Sequence, residues 1–223
     1  FSNEPNLLAL DREGRLFYTA RDDGFGLFDG DKFIHYAGFD GSYPLTIDSR
    51  GDLWLGSRDG GNSWVQLQQD RLVYYGLADG IYEGSQTARI VEDREGALWL
   101  NDENLKRLDF PNIRQDSLHV WRLAPRQDGG LWLSLNSGGK SGGFYQYTDG
   151  DTLRLDTNGE LDGANVWNIF EDRSGDVWIG AYGQGAVHYD GEHFTTYGVE
   201  DGLVSPMLLT SFQDSRGHMW FGT

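Results

Sequence analysis

Apolar positions in this chain come in short runs that break at Gly- and Asp-rich segments, and helical periodicity is absent throughout. Runs such as NVWNIF (165–170), LLTSF (208–212), LWLGS (53–57) and VWIGA (177–181) predict strands. One short pattern, Asp-x-x-Gly-x-(Leu/Val/Met)-aromatic, recurs as DREGRLF, DSRGDLW, DREGALW, RQDGGLW, DRSGDVW and DSRGHMW. Its aromatic members, Phe17, Trp54, Trp99, Trp132, Trp178 and Trp220, lie 37, 45, 33, 46 and 42 residues apart. That spacing is the length of a four-stranded β-propeller blade, not of a helical or leucine-rich repeat.

Each part of the pattern has a physical task. The Asp at the head of a copy can accept hydrogen bonds from the backbone of its own turn, and the Gly can take a positive φ, so together they close a tight turn between two strands. Arg126 holds the Asp slot of the fourth copy, and that turn must be held differently. The run before the turn is the innermost strand of its blade. The run after it is the second strand, followed by a third such as AVHYD (186–190) and a fourth such as HFTTY (193–197). The Asp-Gly links DGDKF (29–33) and DGEHF (190–194) predict hairpins between third and fourth strands.

The fold class read from this pattern is all-β, a propeller of four-stranded antiparallel blades spanning 1–223 as a single segment. Blades are expected at about 1–41, 42–84, 85–117, 118–163 and 164–204, with the first two strands of a sixth at 205–223. Propellers remove their sheet edges by closing, and FSNEPN before the first strand cannot supply the two strands still needed. The expectation is a fragment of a larger propeller; the alternative is an open one completed by a second copy, a homo-oligomer through its edges.

Composition changes this picture little. With 18 Lys and Arg against 35 Asp and Glu, the net charge of −17 repels phosphate backbones, which excludes nucleic acid as a partner class. The absence of cysteine leaves the compartment open. No apolar run approaches a membrane span, and the start lacks the form of a signal peptide.

Candidate chemistry is sparse. Five Trp and Phe17 share one slot and read as packing between blades; Trp121 and Trp167 share another, five residues before the Asp slot, and read as core. Variation marks a different place. Four residues past the strand aromatic stand Arg21, Arg58, Glu103, Asn136 and Tyr182, and the starts of the innermost strands supply Tyr43, Gln86, His119 and Asn165. These nine would converge at the mouth of the central channel, where their mixed donors and acceptors suit a hydroxyl-rich or carboxylated ligand.

Other motifs carry less. NSGGKSGG (136–143), flexible-looking and between second and third strands, reads as a long turn, with a ligand-contacting loop around Lys140 as the alternative. DTNGELD (156–162) alternates oxygen ligands at Asp156, Asn158, Glu160 and Asp162 but lacks the glycine and final glutamate of a calcium loop, so no metal or other cofactor is expected. SRDGGNSW (57–64) fits the Asp-box pattern of sialidases, yet it occurs once and between the wrong strands. With no serine-histidine arrangement and no phosphate-binding loop, no catalytic residue is assigned.

The segment ANVWNIFEDRSGDVWIGAYGQGAVHYDGEHFTTYGVEDGL (164–203) resembles the two-component regulator propeller repeat almost from end to end. It carries Asn-Val-x-x-Ile-x-Glu-Asp, Gly-x-x-Trp-Ile-Gly, Gly-x-Val-x-Tyr-Asp, Phe-x-x-Tyr and a closing Gly-Leu. The resemblance is weaker in the third and fourth blades, which read WLND and WLSL where the glycine should stand. It implies a sensor propeller on the periplasmic or extracellular side of a bacterial inner membrane, non-catalytic, binding an oligosaccharide-like ligand. A glycan-active enzyme and a protein-binding scaffold remain as alternatives.

Overall fold

The structure, a computed structural model, describes residues 5–20, 24–36, 45–56, 64–68, 71–80, 89–101, 104–109, 112–137, 140–155, 157–161 and 164–223. Strands dominate. The first sheet comprises β1 (Pro5–Leu10), β2 (Leu16–Ala20), β3 (Gly24–Phe28) and β4 (Phe33–Tyr36); the second, β5 (Leu45–Ile47), β6 (Leu53–Gly56), β7 (Trp64–Gln68) and β8 (Arg71–Tyr75). A third holds β9 (Ile90–Glu92), β10 (Leu98–Asn101), β11 (Leu105–Asp109) and β12 (Asn112–Gln115). The fourth holds β13 (Val120–Pro125), β14 (Leu131–Ser137), β15 (Lys140–Thr148) and β16 (Asp151–Arg154). The fifth is β17 (Val166–Glu171), β18 (Val177–Ala181), β19 (Gly185–Tyr189) and β20 (Phe194–Tyr197), and a sixth pairs β21 (Thr210–Gln213) with β22 (Met219–Gly222).

Every sheet is antiparallel with its strands in chain order, which is the expected blade. Among the described residues there is no α-helix, only two three-residue 3-10 turns. The sixth innermost strand starts two residues later than LLTSF, at Thr210, although the Leu209 N–H already donates to the Gly222 carbonyl oxygen at 2.8 Å.

The chain divides into two compact units, residues 1–92 with 96–115 and residues 93–95 with 116–223. In the first, β1 neighbours β5 and β5 neighbours β9; in the second, β13 neighbours β17 and β17 neighbours β21. The first strand of each blade is thus its inner edge. Burial follows from this, since the second strands β6 and β10 are buried at every position while the outer β4 and β20 alternate and β16 is exposed.

The cores lie between blades. Phe17, Phe25 and Leu27 of the first sheet pack with Leu53, Leu55, Val65 and Leu67 of the second. Trp54 and Trp64 pack with Ile90, Leu98, Leu100 and Leu108 of the third. In the other unit Ala124, Trp132 and Phe144 meet Val166, Val177, Ile179 and Tyr189, with the Trp132 ring edge-on to Tyr189 at 6.2 Å. Trp178 is half-buried against Phe221 of the next sheet at 5.2 Å, and Trp220, in the same slot of the two-stranded sheet, is 61% exposed. The repeated aromatic therefore points at the following blade.

The Asp of each signature does more than close its turn. Asp48 Oδ1 accepts the backbone N–H of Arg50 and of Asp52, both at 3.0 Å, and its Oδ2 accepts the Trp54 indole N–H at 3.0 Å. Asp172 repeats the pattern with Ser174, Asp176 and Trp178, and Asp214 with Arg216, His218 and Trp220. Gly51 at φ 89° completes the turn, a backbone region an L side chain rarely adopts. In the first copy, where Phe17 has no N–H to offer, Arg15 Nε takes the free Oδ2 at 2.6 Å.

The fourth copy shows what replaces the Asp. Arg126 keeps the two backbone bonds of the turn, its guanidinium lies over the Trp132 ring at 5.1 Å, and the indole N–H goes instead to Glu171 of the next blade at 2.9 Å. Glu171 Oε2 also accepts the Gln127 N–H at 2.8 Å. The same tie recurs at other joints. Glu92 accepts the Ser49 N–H at 2.6 Å, and Gln213 accepts the Arg173 N–H at 3.0 Å. The residue just before the Asp slot thus latches the turn of the blade before it.

Glycine after the second-strand Trp has a packing reason in the fifth blade. A Cβ on Gly180 would stand 2.5 Å from the Leu208 carbonyl oxygen, so only hydrogen fits. In the third and fourth blades that slot holds Asn101 and Ser134, both buried, and the Asn101 side chain accepts the Arg89 N–H at 2.7 Å.

One expectation is corrected: NSGGKSGG is not a long turn, for Asn136 pairs with Ser141 and Ser137 with Lys140, so β14 and β15 extend into it, residues 138–139 lying outside the described residues. Small residues next to glycine tolerate extended backbone, and the ladder satisfies their amides.

Asp48→Ala should cost about 2–4 kcal/mol, because it strips two turn amides and a buried indole of one acceptor. Glu171→Ala should cost about 2 kcal/mol for the same reason, and exposed Glu95→Ala less than about 0.5 kcal/mol; urea unfolding of the three variants checks the order. Indole and amide donors outweigh desolvation and hold Asp214 down at about 2 against an ordinary 3.8. Burial opposes ionisation of Asp48, yet the Trp54, Arg50 and Asp52 donors hold it low as well. Folded-state values below the unfolded one mean this stabilisation is present above about pH 4 and is lost as pH falls toward 2. An acid titration followed by tryptophan fluorescence should show the loss in that window.

Candidate functional site

The innermost strands do not run regularly to their starts. In β13 the register slips between Val120 and Arg122, and in β17 between Val166 and Asn168, leaving Trp121 and Trp167 as bulge residues. Asn6 stands at the same slot of β1, where the register slips between Pro5 and Leu7. A bulge re-aims a side chain and takes its residue out of the ladder. Trp121 and Trp167 are therefore not core, contrary to their sequence reading: Trp121 is half-buried, Trp167 is 37% exposed, and neither joins the cluster between their blades.

Arg122 joins the two bulges. Its Nη1 donates to the Trp121 carbonyl oxygen at 2.8 Å and its Nε to the Trp167 carbonyl oxygen at 3.0 Å. The guanidinium carbon lies 4.8 Å from the Trp121 ring centre and 5.5 Å from that of Trp167. Only 6% of Arg122 is exposed. In the next blade the equivalent slot holds Asn168, whose amide donates to the Ser211 hydroxyl at 2.7 Å.

In the other unit that slot holds Arg89. Its backbone is paired with Asn101 in both directions, and desolvation pushes its guanidinium below the ordinary value even though its surface is exposed to solvent. This slot, four residues before the turn's Asp, was missed in the sequence. The signal was a charged or amide residue recurring inside an otherwise apolar strand.

Of the nine rim residues expected, Arg21, Tyr43, Arg58, Gln86 and Glu103 lie outside the described residues. The other four fall in one unit. The Tyr182 N–H donates to the Asn165 carbonyl oxygen at 2.9 Å, continuing the ladder one step past Val166 and Ala181, and both residues are exposed, Tyr182 by 55%. His119 is exposed and Asn136 lies across from it by register, since Val120 pairs with Leu135. His119 stands two residues before Trp121 and Asn165 two before Trp167. His119, Asn165 and Tyr182 are thus exposed at the strand starts, close in sequence to the two bulges.

The opposite, turn-bearing end offers a cavity of about 410 Å3 between the first two sheets, lined by Arg12, Arg15, Arg50, Asp11 and Asp52 over Phe17 and Leu27. Arg15 and Arg50 are committed there to Asp11 and Asp48 at 2.6 and 2.8 Å. Of the sialidase-like box only Trp64 is described, buried in the core at the start of β7. Asp156 and Asp162 lie outside the described residues; Glu160 accepts the Thr196 hydroxyl, and no group of three metal-binding side chains occurs among those described.

No curated protein matches the chain by sequence. By structure it is similar to virginiamycin B lyase from Staphylococcus aureus, with TM-score 0.76 and 16% identity over 97% of this chain and 76% of that one. It is similar to PorZ, a surface component of the type-IX secretion system of Porphyromonas gingivalis, with TM-score 0.73 and 12% identity over 99% of this chain and 37% of that one. The extracellular domain of a protein described as a hybrid two component system from B. thetaiotaomicron matches with TM-score 0.62 and 15% identity, over 99% of this chain and 37% of the other. At these identities the shared property is the fold, a β-propeller of four-stranded blades. The family profile described as two component regulator propeller matches residues 160–183, which include Asn165, the Asp172 hub and Tyr182, so the chain carries a repeat of the two-component regulator propeller family.

Proposed function

We propose that this chain is the ligand-sensing, non-catalytic propeller part of a two-component-type signalling protein, and that it binds an oligosaccharide-like ligand at the strand-start end of its blades. The observation that carries the reading is the coincidence of the matched repeat with the rim. Within residues 160–183 the scaffold positions are buried or bonded, while Asn165 and Tyr182 are exposed and tied together by their backbones. Neutral donors and acceptors on a rigid ladder suit a ligand rich in hydroxyl groups.

The likeness to an extracellular domain supports placing the chain on the periplasmic or extracellular side of the membrane. No helix among the described residues is long and apolar enough to cross a membrane. The likeness to a lyase supports the second reading, a glycan-active enzyme, only as far as the fold.

Melting the protein with xylohexaose, cellohexaose, maltohexaose and trigalacturonate tests this directly. A ligand at a hundred times its Kd stabilises the native state by about 2.7 kcal/mol, so one member of the panel should raise Tm by several degrees. No shift with any of them would overturn the oligosaccharide reading, and turnover of the bound sugar would overturn the non-catalytic one. Tyr182→Ala and His119→Ala should weaken that binding while changing unfolding free energy by less than about 0.5 kcal/mol, as exposed side chains outside the core do.

A further inference from the structure

We infer that Trp121, Arg122 and Trp167 form a stacking platform for one sugar ring of the ligand, with Trp167 as the contact and Arg122 as the positioning residue that holds both indoles. The inference rests on the oligosaccharide reading above and names the place where it acts.

Three observations converge. First, the two Trp stand at matching register slips in neighbouring inner strands, β13 and β17, each less buried than the residues on either side of it. Second, a bulge leaves its backbone carbonyl outside the regular ladder. Arg122 takes both carbonyls at once, at 2.8 and 3.0 Å, and thereby ties the bulges to each other across the blade joint. Third, the same guanidinium lies within cation–π distance of both rings, at 4.8 and 5.5 Å. A nearly buried cation fixed by two carbonyls has little freedom, and the indoles packed on it inherit that rigidity.

Ordinary core packing would cover both rings, but Trp167 is 37% exposed and Trp121 half-buried. A pyranose ring has one face of C–H groups, which stacks on an indole, and an equatorial rim of hydroxyls. The platform meets both demands, because exposed Asn165 and His119 lie two residues from the two Trp, and Tyr182 is joined to Asn165. A flat apolar ligand would use the indoles and leave this polar border idle. An anionic ligand without a ring would use neither.

The test takes the panel sugar that raises Tm and measures its affinity by calorimetry for the parent protein, Trp167→Ala, Trp167→Phe and Arg122→Lys. Trp167→Ala should lose at least tenfold in affinity with ligand-free Tm little changed, and Trp167→Phe should fall between, since a smaller ring stacks less. Arg122→Lys keeps the charge but cannot span two carbonyls. It should weaken binding several-fold and increase acrylamide quenching of tryptophan fluorescence in the ligand-free protein, a readout that general destabilisation without release of the indoles would not give. If Trp167→Ala binds as tightly as the parent while Tyr182→Ala does not, the rim alone holds the sugar and the platform is overturned. If the parent binds no panel sugar, the functional reading itself falls, and the platform with it.

Discussion

Most of this structure depends on one carboxylate per blade. In the second, fifth and sixth sheets the Asp at the head of the signature bonds two amides of its own turn through one oxygen and the indole of the second strand through the other. The turn is thereby closed and the ring is aimed in a single step. Because the ring points toward the following blade, a local seven-residue device sets the packing between blades. Asp214 and Trp220 show that the device does not need burial. The ring there is 61% exposed, yet the indole bond forms at 3.1 Å and the carboxyl is held down at about 2.

The fourth blade is the informative exception. With Arg126 in the slot, the indole of Trp132 turns to Glu171, so the bond that is internal elsewhere becomes a bond across the joint. Glu171 already accepts an amide of the same turn, as Glu92 and Gln213 do at theirs. Losing the hub is tolerable because a second tie between blades exists at the same place. Loss of both would leave a buried indole and three turn amides to be satisfied by water alone, at a cost of roughly 1–3 kcal/mol for each group.

Much of the scaffold was legible in the sequence because its devices are local. Asp, Gly and Trp act on partners two to six residues away, so their spacing is visible in one dimension; the strands at 177–181 and the hairpin at 190–194 follow directly. The Glu before Asp172 was visible as part of the repeat, but its partner lies 44 residues upstream, and no spacing rule reaches that far. The bulges were illegible for a different reason. A bulge depends on how two strands count against each other, and Trp121 and Trp167, read as members of an apolar run, could only be assigned inward. Five of nine rim positions lie outside the described residues, and the four described ones gather in one unit because blades four and five are contiguous.

The turn scaffold and the proposed recognition platform therefore lie at different ends of the same strands. At the turn end every oxygen of the repeated Asp is engaged, and a side chain changed there costs stability. At the start of the inner strands the ladder slips, carbonyls leave it, and an arginine rather than the backbone restores order. That substitution matters, because a side chain can be exchanged in one blade without disturbing the others, whereas a ladder cannot. The slot four residues before the turn holds Arg89, Arg122 and Asn168 in successive blades, each with its own partner, while the aromatic ring ten residues further on is Trp in all three. A propeller built this way can vary what it holds blade by blade without renegotiating how its blades pack.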